Sequence, residues 1–422
     1  MSKFLTLILI FLLVLSPFLA RVMAEEVLTW QDCIREAAKN HPDLISAQES
    51  VKESEASKKI TASTLFPQID SNVDASIAKT AGKTTDTYTY GVSGTQLLFD
   101  GFKTYDNVKA ASENIKAAQY NYKYTSTEVR LRLRTAFINL LKVQELLNIT
   151  EEIFKIRRGN FELITLRYES GLEHRGALLT AEANLAQAQF EISQAKRALE
   201  VVQRGLIKEI GRTKFSPLRA EGNLKLSDVV LGKPDFEALA KSNPSLEKLI
   251  AQKNAASFGI KAAKANFLPE LSVQAGADKS SSHWPPENDQ WDAGLSLSFP
   301  IFEGGLRLAQ VAQAKAQFNQ AQADERSTRD SVIVTLEQTW AALQDAVETL
   351  EVEKKFLNAA EERAKIAEAQ YSLGMIQFDN WTIIEDELVK TKKTFLDTQA
   401  NALLAEADWV QAKGETLEYA QK

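Results

Sequence analysis

The feature that most limits the fold of this 422-residue chain is an internal repeat. The repeated landmarks are His41-Pro42 and Asn243-Pro244, Phe66-Pro67 and Leu268-Pro269, Phe99-Asp100-Gly101 and Phe302-Glu303-Gly304, and Tyr168-Glu169-Ser170-Gly171 and Tyr371-Ser372-Leu373-Gly374. The members of each pair lie 202 or 203 positions apart, and one offset shared by several landmarks indicates a tandem duplication. The sequence therefore predicts a first repeat at 25–212, an insert at 213–233, a second repeat at 234–414 and a tail at 415–422.

Residues 1–24 have the pattern of a secretory signal peptide. Lys3 gives a positive start, an almost continuous apolar run follows, and Ala24 provides a small residue before the expected cleavage at Glu25. After this segment no run of ~18 apolar residues remains, so any membrane crossing has to use strands. The single cysteine, Cys33, has no partner within the chain for a disulfide and is expected to be a buried small hydrophobe.

Four segments alternate apolar and polar residues, as strands with one apolar face do. They are predicted at about 68–79, 88–99, 270–279 and 291–301. Ile69, Val73 and Ile77 show the pattern in the first segment. A length of ~9–11 residues suits a tilted strand that crosses a bilayer, although the strands of a soluble sandwich alternate in the same way. Aromatic residues near the strand ends, such as Trp284 and Trp291, favour the membrane interpretation.

Four strands are too few to close a barrel. A sheet in lipid has to close on itself, because an open edge leaves backbone N–H and C=O groups unpaired in hydrocarbon. The smallest outer-membrane barrels use ~8 strands, so several chains have to combine their sheets. Two chains would give eight strands with a filled interior, and three would give twelve with room for a channel. Strand counting excludes a monomer and leaves the number of chains open.

The helices are too long for a globular core. They are predicted at about 102–168, 174–211, 305–371 and 377–413. A helix of some 65 residues is a rod of roughly 100 Å, the scale of a coiled coil or a tube. The returning helix of each half has a heptad seam, which passes through Leu178, Ala181 and Leu185 in the first half and through Trp381 and Ile384 in the second. The predicted class is mainly α with transmembrane β strands.

The order and repetition of these landmarks resemble the TolC-like outer-membrane efflux protein family over essentially the whole mature chain. The strand exits Leu98-Phe99-Asp100-Gly101 and Pro300-Ile301-Phe302-Glu303-Gly304-Gly305 and the two Tyr-x-x-Gly tips show the resemblance most clearly. It implies a homotrimer that completes a 12-stranded β-barrel, with long antiparallel helices forming a periplasmic coiled-coil barrel. It also implies location in the outer membrane, in contact with its lipid, and a role as the exit duct for efflux or secretion.

The resemblance also implies a gate at the helical tips. Tyr371 matches the family's gate tyrosine, whereas its usual arginine partner falls on Ile376. The family's aperture acids fall on Asn380 and Ile383, which are not acidic, and Asp379 is the neighbouring acid. Glu385 and Asp386 follow on the same helix. An acid repeated around a three-fold axis attracts cations, so Asp379 is expected to line the aperture; a solvated acid at a helix start is the alternative.

Partners are implied at the same tips. A periplasmic adaptor is expected to dock at the exposed tip residues, which are Gly171, Leu172, Gly374 and Met375. A plain turn with a hydrophobic contact after the helix end is the alternative. An inner-membrane transporter of the RND, ABC or MFS type completes the implied assembly.

Other classes of function find little support in the sequence. The three histidines are dispersed without ligand spacing, and no phosphate loop or nucleophile motif is present, so the sequence predicts neither an enzyme nor a metal or cofactor site. The formal net charge of −6 argues against a protein that binds nucleic acid. The main rival is a periplasmic coiled-coil adaptor without a pore, which explains the helices but not the strands. The sequence does not distinguish between export of drugs, of metals and of proteins.

Overall fold

The computed structural model describes residues 25–226 and 232–418. The predicted signal peptide, part of the predicted insert (227–231) and the end of the predicted tail (419–422) lie outside the described residues. No helix within the described ranges is both long enough and apolar enough to span a membrane.

The two halves of the chain repeat one order of elements. The first half contains β1 (Glu26–Thr29), α1 (Trp30–Asn40), α2 (Pro42–Ser63), β2 (Gln68–Thr80), β3 (Lys83–Phe99), α3 (Lys103–Glu169) and α4 (Arg175–Glu209). The remainder contains β4 (Leu218–Glu221), α5 (Phe236–Lys241), α6 (Pro244–Ala265), β5 (Glu270–Ser281), β6 (Asn288–Ser298), α7 (Leu306–Ser372) and α8 (Phe378–Ala412). In both, a strand hairpin is followed by a helix of 67 residues and a returning helix of 35.

Local side-chain chemistry sets the helix starts. The Thr29 hydroxyl accepts a hydrogen bond from the Asp32 backbone N–H, while the Asp32 carboxylate accepts one from the Thr29 backbone N–H. This reciprocal capping box begins α1. Pro42 and Pro244 are the first residues of α2 and α6, where a missing N–H leaves no helical hydrogen bond unmade.

The chain divides into two compact units. The sheet unit comprises residues 43–126 and 234–337, and the described residues of the tip unit are 25–42, 127–226, 232–233 and 338–418. Within the sheet unit, Leu44, Leu246 and Leu336 are almost completely buried. Within the tip unit, Ile138, Ala400 and Leu403 form one core cluster, and β1 pairs in parallel with β4.

The sheet unit contains a four-stranded antiparallel sheet in the order β2-β3-β5-β6. Its register places most of the apolar residues of the four strands on one face, which includes Ile69, Val73, Ile77, Tyr88, Tyr90, Val92, Val273, Ala275, Ala277, Trp291, Ala293, Leu295 and Leu297. The other face is polar and includes Asp70, Asn72, Asp74, Ser93, Gln274, Asp278, Asp292 and Ser296. In the single chain Val73 is 69 % exposed and Trp291 is 81 % exposed, so the apolar face is uncovered.

The strand ends differ from the sequence-based estimates for physical reasons. β3 starts at Lys83 rather than near 88, because a two-residue turn of Ala81 and Gly82 links it directly to β2. Both turn residues have positive φ, 51° and 83°, as the favoured two-residue hairpin turns require. The added residues are polar on both faces, so they show no alternation. β6 ends at Ser298, shortly before Pro300, which has no N–H for a ladder bond.

Candidate functional site

The two turns that link the long helices have one backbone geometry. Gly171 and Gly374 both have φ +74°, the left-handed conformation that commonly ends a helix. The Leu172 N–H donates to the Arg167 carbonyl at 2.8 Å, and the Met375 N–H donates to the Gln370 carbonyl at 2.8 Å. Main-chain bonds of this kind satisfy carbonyl groups at the end of each long helix.

The predicted docking residues lie on the surface of these turns. Leu172 and Met375 are each 68 % exposed, and neighbouring Leu373 is also exposed. Gly171 and Gly374 are exposed as well. His174 is exposed and also caps α4, since its Nδ1 accepts a hydrogen bond from the Ala177 N–H at 3.1 Å.

Behind the turns, five side chains form a compact group that we call the tip cluster: Arg167, Glu173, Tyr371, Phe378 and Trp381. The Tyr371 ring is 1 % exposed and stacks on the Trp381 ring, with centroids 4.4 Å apart and planes 9° apart. The edges of Phe378 approach both rings. Ile164, Ala177, Ala181 and Ala367 complete this core.

Polar contacts in the tip cluster join the two turns. The Tyr371 hydroxyl donates to Glu173 Oε1 at 2.8 Å. The Arg167 guanidinium lies over the Tyr371 ring, with Cζ 5.0 Å from the centroid, and its Nε lies 3.7 Å from Glu173 Oε1. Burial, followed by the hydrogen bond to Glu173, raises the pKa of Tyr371. The phenol therefore stays protonated and keeps its donor role at physiological pH.

The arginine of the tip cluster comes from a different part of the chain than the resemblance implies. Position 376 is Ile376, which packs against the apolar side of the cluster. Arg167, near the end of α3, supplies the guanidinium, and Glu173, just before α4, supplies the acid. The link between the two turns is thus present with partners that sequence reasoning did not identify.

The three predicted aperture acids have three different environments. Asp379 is exposed in the first turn of α8. Asp386 forms an ion pair with Arg157 of α3 at 2.5 Å. Glu385 is 8 % exposed and forms no hydrogen bond or ion pair with another described residue.

Glu385 faces a small cavity of about 10 Å³ with a mixed polar and apolar lining, which is roughly the volume that one water needs. Its lining comprises Arg157, Asn160, Ala181, Asn184, Phe378, Trp381, Thr382 and Glu385. The Trp381 Nε1–H is buried and has no hydrogen-bond partner within the described residues. Burial raises the pKa of Glu385 and Arg157 opposes the shift, whereas Glu368 of α7 and the adjacent Asp386 raise it further. A buried carboxyl therefore lies one helical turn from the Tyr371–Trp381 stack.

Sequence reasoning found Tyr371 and missed the groups around it. Trp381 was visible only as a heptad position, and Glu173 only as an acid two residues after Gly171. Within the described residues no group of three or more His, Cys, Asp or Glu side chains has the arrangement of a metal site. The geometry is that of a packed junction between helical hairpins.

Comparisons with known proteins identify the family to which the chain belongs. The profile of the family described as "Outer membrane efflux protein" matches residues 33–212 and 236–418. The outer membrane efflux protein BepC of Brucella suis is 24 % identical over 94 % of this chain and 86 % of its own length. The cation efflux system protein CusC of Escherichia coli K12 is 22 % identical over 86 % of this chain and 81 % of its own length.

Solved structures show the same fold. The CmeC outer membrane channel of Campylobacter jejuni superposes with a TM-score of 0.79 at 19 % identity and covers 90 % of this chain and 84 % of that one. Helical tips, a sheet with one apolar face and a family match over both halves lead to one assignment. The chain belongs to the outer membrane efflux protein family, and it is an outer-membrane channel rather than a pore-less periplasmic adaptor.

Proposed function

We propose that three copies of this chain combine their sheets into a 12-stranded barrel that serves as the exit duct of an efflux or secretion system. The observation that supports this most directly is the register, which aligns most of the apolar strand residues on one exposed face. Within the described residues β2 pairs only with β3 and β6 only with β5, so each sheet has two unpaired edges. Edges of neighbouring copies can pair and leave no open backbone groups in lipid.

The proposed number of copies agrees with the space that a channel needs. Eight strands from two copies enclose only side chains, whereas twelve from three copies leave an aqueous passage. The test is the mass of the detergent-solubilised protein together with its conductance in planar bilayers. We expect a particle of three chains that conducts ions. A water-soluble single chain without conductance would contradict the proposal.

The internal repeat and the long helices belong to the same proposal. We infer that 25–212 and 234–414 are duplicated copies, separated by the insert at 213–233, and that α3, α4, α7 and α8 of three chains form a periplasmic coiled-coil barrel. The recurrence of one strand hairpin and one pair of helix lengths supports this inference. Its test is cysteine crosslinking between long helices of neighbouring chains.

The exposed tips are the proposed docking surface for a periplasmic adaptor and, through it, an inner-membrane transporter. Leu172 and Met375 are apolar, exposed and adjacent to the two glycine turns. Charged residues placed there should prevent an apolar contact with a partner. The double variant Leu172→Glu, Met375→Glu is expected to abolish export in cells while the purified protein keeps its conductance. Normal export by this variant would exclude the tips as the docking surface.

Asp379 is the proposed aperture acid. It is exposed at the start of α8, two residues before Trp381 of the tip cluster, so a three-fold axis would place three such carboxylates around one opening. Asp379→Asn is expected to lower the ratio of cation to anion permeability in single-channel recordings. An unchanged ratio would leave Asp379 as a helix-start acid that interacts favourably with the dipole.

Tyr371 and Asp386 are proposed to hold the tips closed, and Glu385 is proposed to make closure depend on pH. Because its folded pKa is raised, ionised Glu385 opposes the packed tip, and that penalty disappears as pH falls through the raised pKa toward the ordinary value of 4.5. Closure should therefore be more stable in acid. The groups around Glu385 are Arg157 on α3, Glu368 on α7, and Asp386 and Lys392 on α8.

The variant Glu385→Gln tests this pH dependence. It is expected to reduce channel opening at pH 7.5 by about five-fold, since relief of a buried charge contributes about 1 kcal/mol. It should also remove most of the difference between pH 7.5 and pH 5. Glu387→Gln, two residues away and exposed, is the control and should behave like the unmodified chain. Equal pH responses in both variants would contradict the role of Glu385.

A further inference from the structure

Apart from the tips, the tip unit contains a cavity of about 260 Å³ between the start of α1 and the helices α3 and α8. It is lined by Trp30, Thr127, Arg130, Leu131, Arg134, Glu406, Ala407, Val410 and Gln411. One side is apolar, formed by the Trp30 ring, Leu131 and Val410, and two guanidinium groups lie beside it. The volume is slightly below that of sites for drug-sized ligands and suits a small organic molecule.

The two arginines of the cavity differ in how their charges are satisfied. Arg130 Nη1 donates to Glu415 Oε2 at 3.1 Å and to the Thr416 carbonyl at 3.2 Å. The Arg134 guanidinium lies over the Trp30 ring, with Cζ 5.0 Å from the centroid. Within the described residues Arg134 forms no hydrogen bond or ion pair, so its charge has no carboxylate in contact.

The surroundings of Arg134 leave this guanidinium poorly solvated. Burial is the main influence and lowers the pKa of Arg134, the Glu406 carboxylate opposes that shift, and Arg130 adds to it. Arg134 is partly buried, and a partly buried charge without a hydrogen-bonded counter-ion is costly, so a hydrogen-bonded anion relieves that cost. The planar guanidinium fork is matched best by a carboxylate, which accepts two parallel N–H bonds.

We propose that this cavity binds a small organic monocarboxylate, with its carboxylate paired to Arg134 and its apolar part against Trp30, Leu131 and Val410. Glu406 also lines the cavity and would repel a second negative charge, so the preferred ligand has a single carboxylate. The apolar side of the cavity favours an organic anion over an inorganic one, because an inorganic anion has no apolar part to place against it. The bound molecule would contact α1, α3 and α8 together.

The test uses benzoate as the probe and the full-length protein in detergent, with binding followed by ligand-observed NMR and calorimetry. Benzoate is expected to bind in the millimolar range, as suits a ligand of its size. Arg134→Gln should weaken binding about ten-fold or more, because charge-assisted hydrogen bonds are lost. The matched control is Arg158→Gln on the same helix, an exposed arginine whose Nε pairs with Glu162 at 3.1 Å.

Two comparisons on the unmodified protein keep the result decisive even if Arg134→Gln does not fold. Benzamide, the neutral analogue, should not bind, and inorganic phosphate should not displace benzoate at equal concentration. Arg134→Lys retains the charge without the fork and should bind several-fold more weakly than the unmodified chain. The proposal is overturned if benzoate does not bind, if benzamide binds as well as benzoate, or if Arg134→Gln binds as the unmodified chain does.

Discussion

Trp381→Ala is expected to open the helical tips and give the largest functional change of any single substitution near them. Trp381 is 3 % exposed and stacks on Tyr371, and Phe378 packs against its edge. Removal of a buried tryptophan costs about 3 kcal/mol or more in packing. If most of this energy stabilises the closed tip, the opening equilibrium shifts by roughly a hundred-fold or more.

The measurement is single-channel conductance in planar bilayers, together with the sensitivity of cells to antibiotics too large for the intact outer membrane. Both should rise in Trp381→Ala. Asn380→Ala is the matched control, because Asn380 is the preceding residue on α8 and is exposed. Circular dichroism establishes that the helices remain. A folded Trp381→Ala channel with unchanged conductance would show that the tip cluster does not close the duct.

Val73→Arg is expected to prevent insertion into the outer membrane. Val73 lies near the middle of β2, is 69 % exposed in the single chain and belongs to the apolar face of the sheet. An arginine on the lipid face at the bilayer midplane costs about 2–4 kcal/mol in each chain, and in a trimer this cost occurs three times. The protein should therefore accumulate in the periplasm and be degraded.

Asn72→Arg is the matched control, because position 72 is next to Val73 on the same strand but on the polar face. The same charge there faces the proposed aqueous passage and should leave insertion intact. The measurement is the fraction of protein in purified outer membranes. If both variants insert equally, or if both fail, the apolar face does not contact lipid.

The parts of the fold that depend on neighbours in sequence could be predicted from the sequence. The capping box at Thr29 and the glycine turns at 171 and 374 need only residues within one or two helical turns. Strand alternation is equally local, so the apolar face could be predicted before the register was known. β3 was predicted too short because its first residues are polar on both faces and carry no periodic signal.

The candidate site was harder to predict, because its contacts join residues distant in sequence. Tyr371 and Glu173 are 198 positions apart, and nothing near either residue identifies the other as its partner. The environment of each acid could not be predicted either, because Asp379, Glu385 and Asp386 look alike in the sequence. In the structure Asp379 is exposed, Glu385 is buried without a partner among the described residues, and Asp386 is paired with Arg157. Pairing of this kind depends on how the helical hairpins pack.

The shared geometry of the two turns has a consequence for how the chain can diverge. Each turn keeps its path through main-chain hydrogen bonds and one glycine, so the side chains that follow are not needed to shape it. The residue two places after the glycine is Glu173 in one turn and Ile376 in the other, an acid in the first and an apolar contact in the second. Substitution at these places can therefore change the side-chain contacts of one hairpin while the path of the other stays the same.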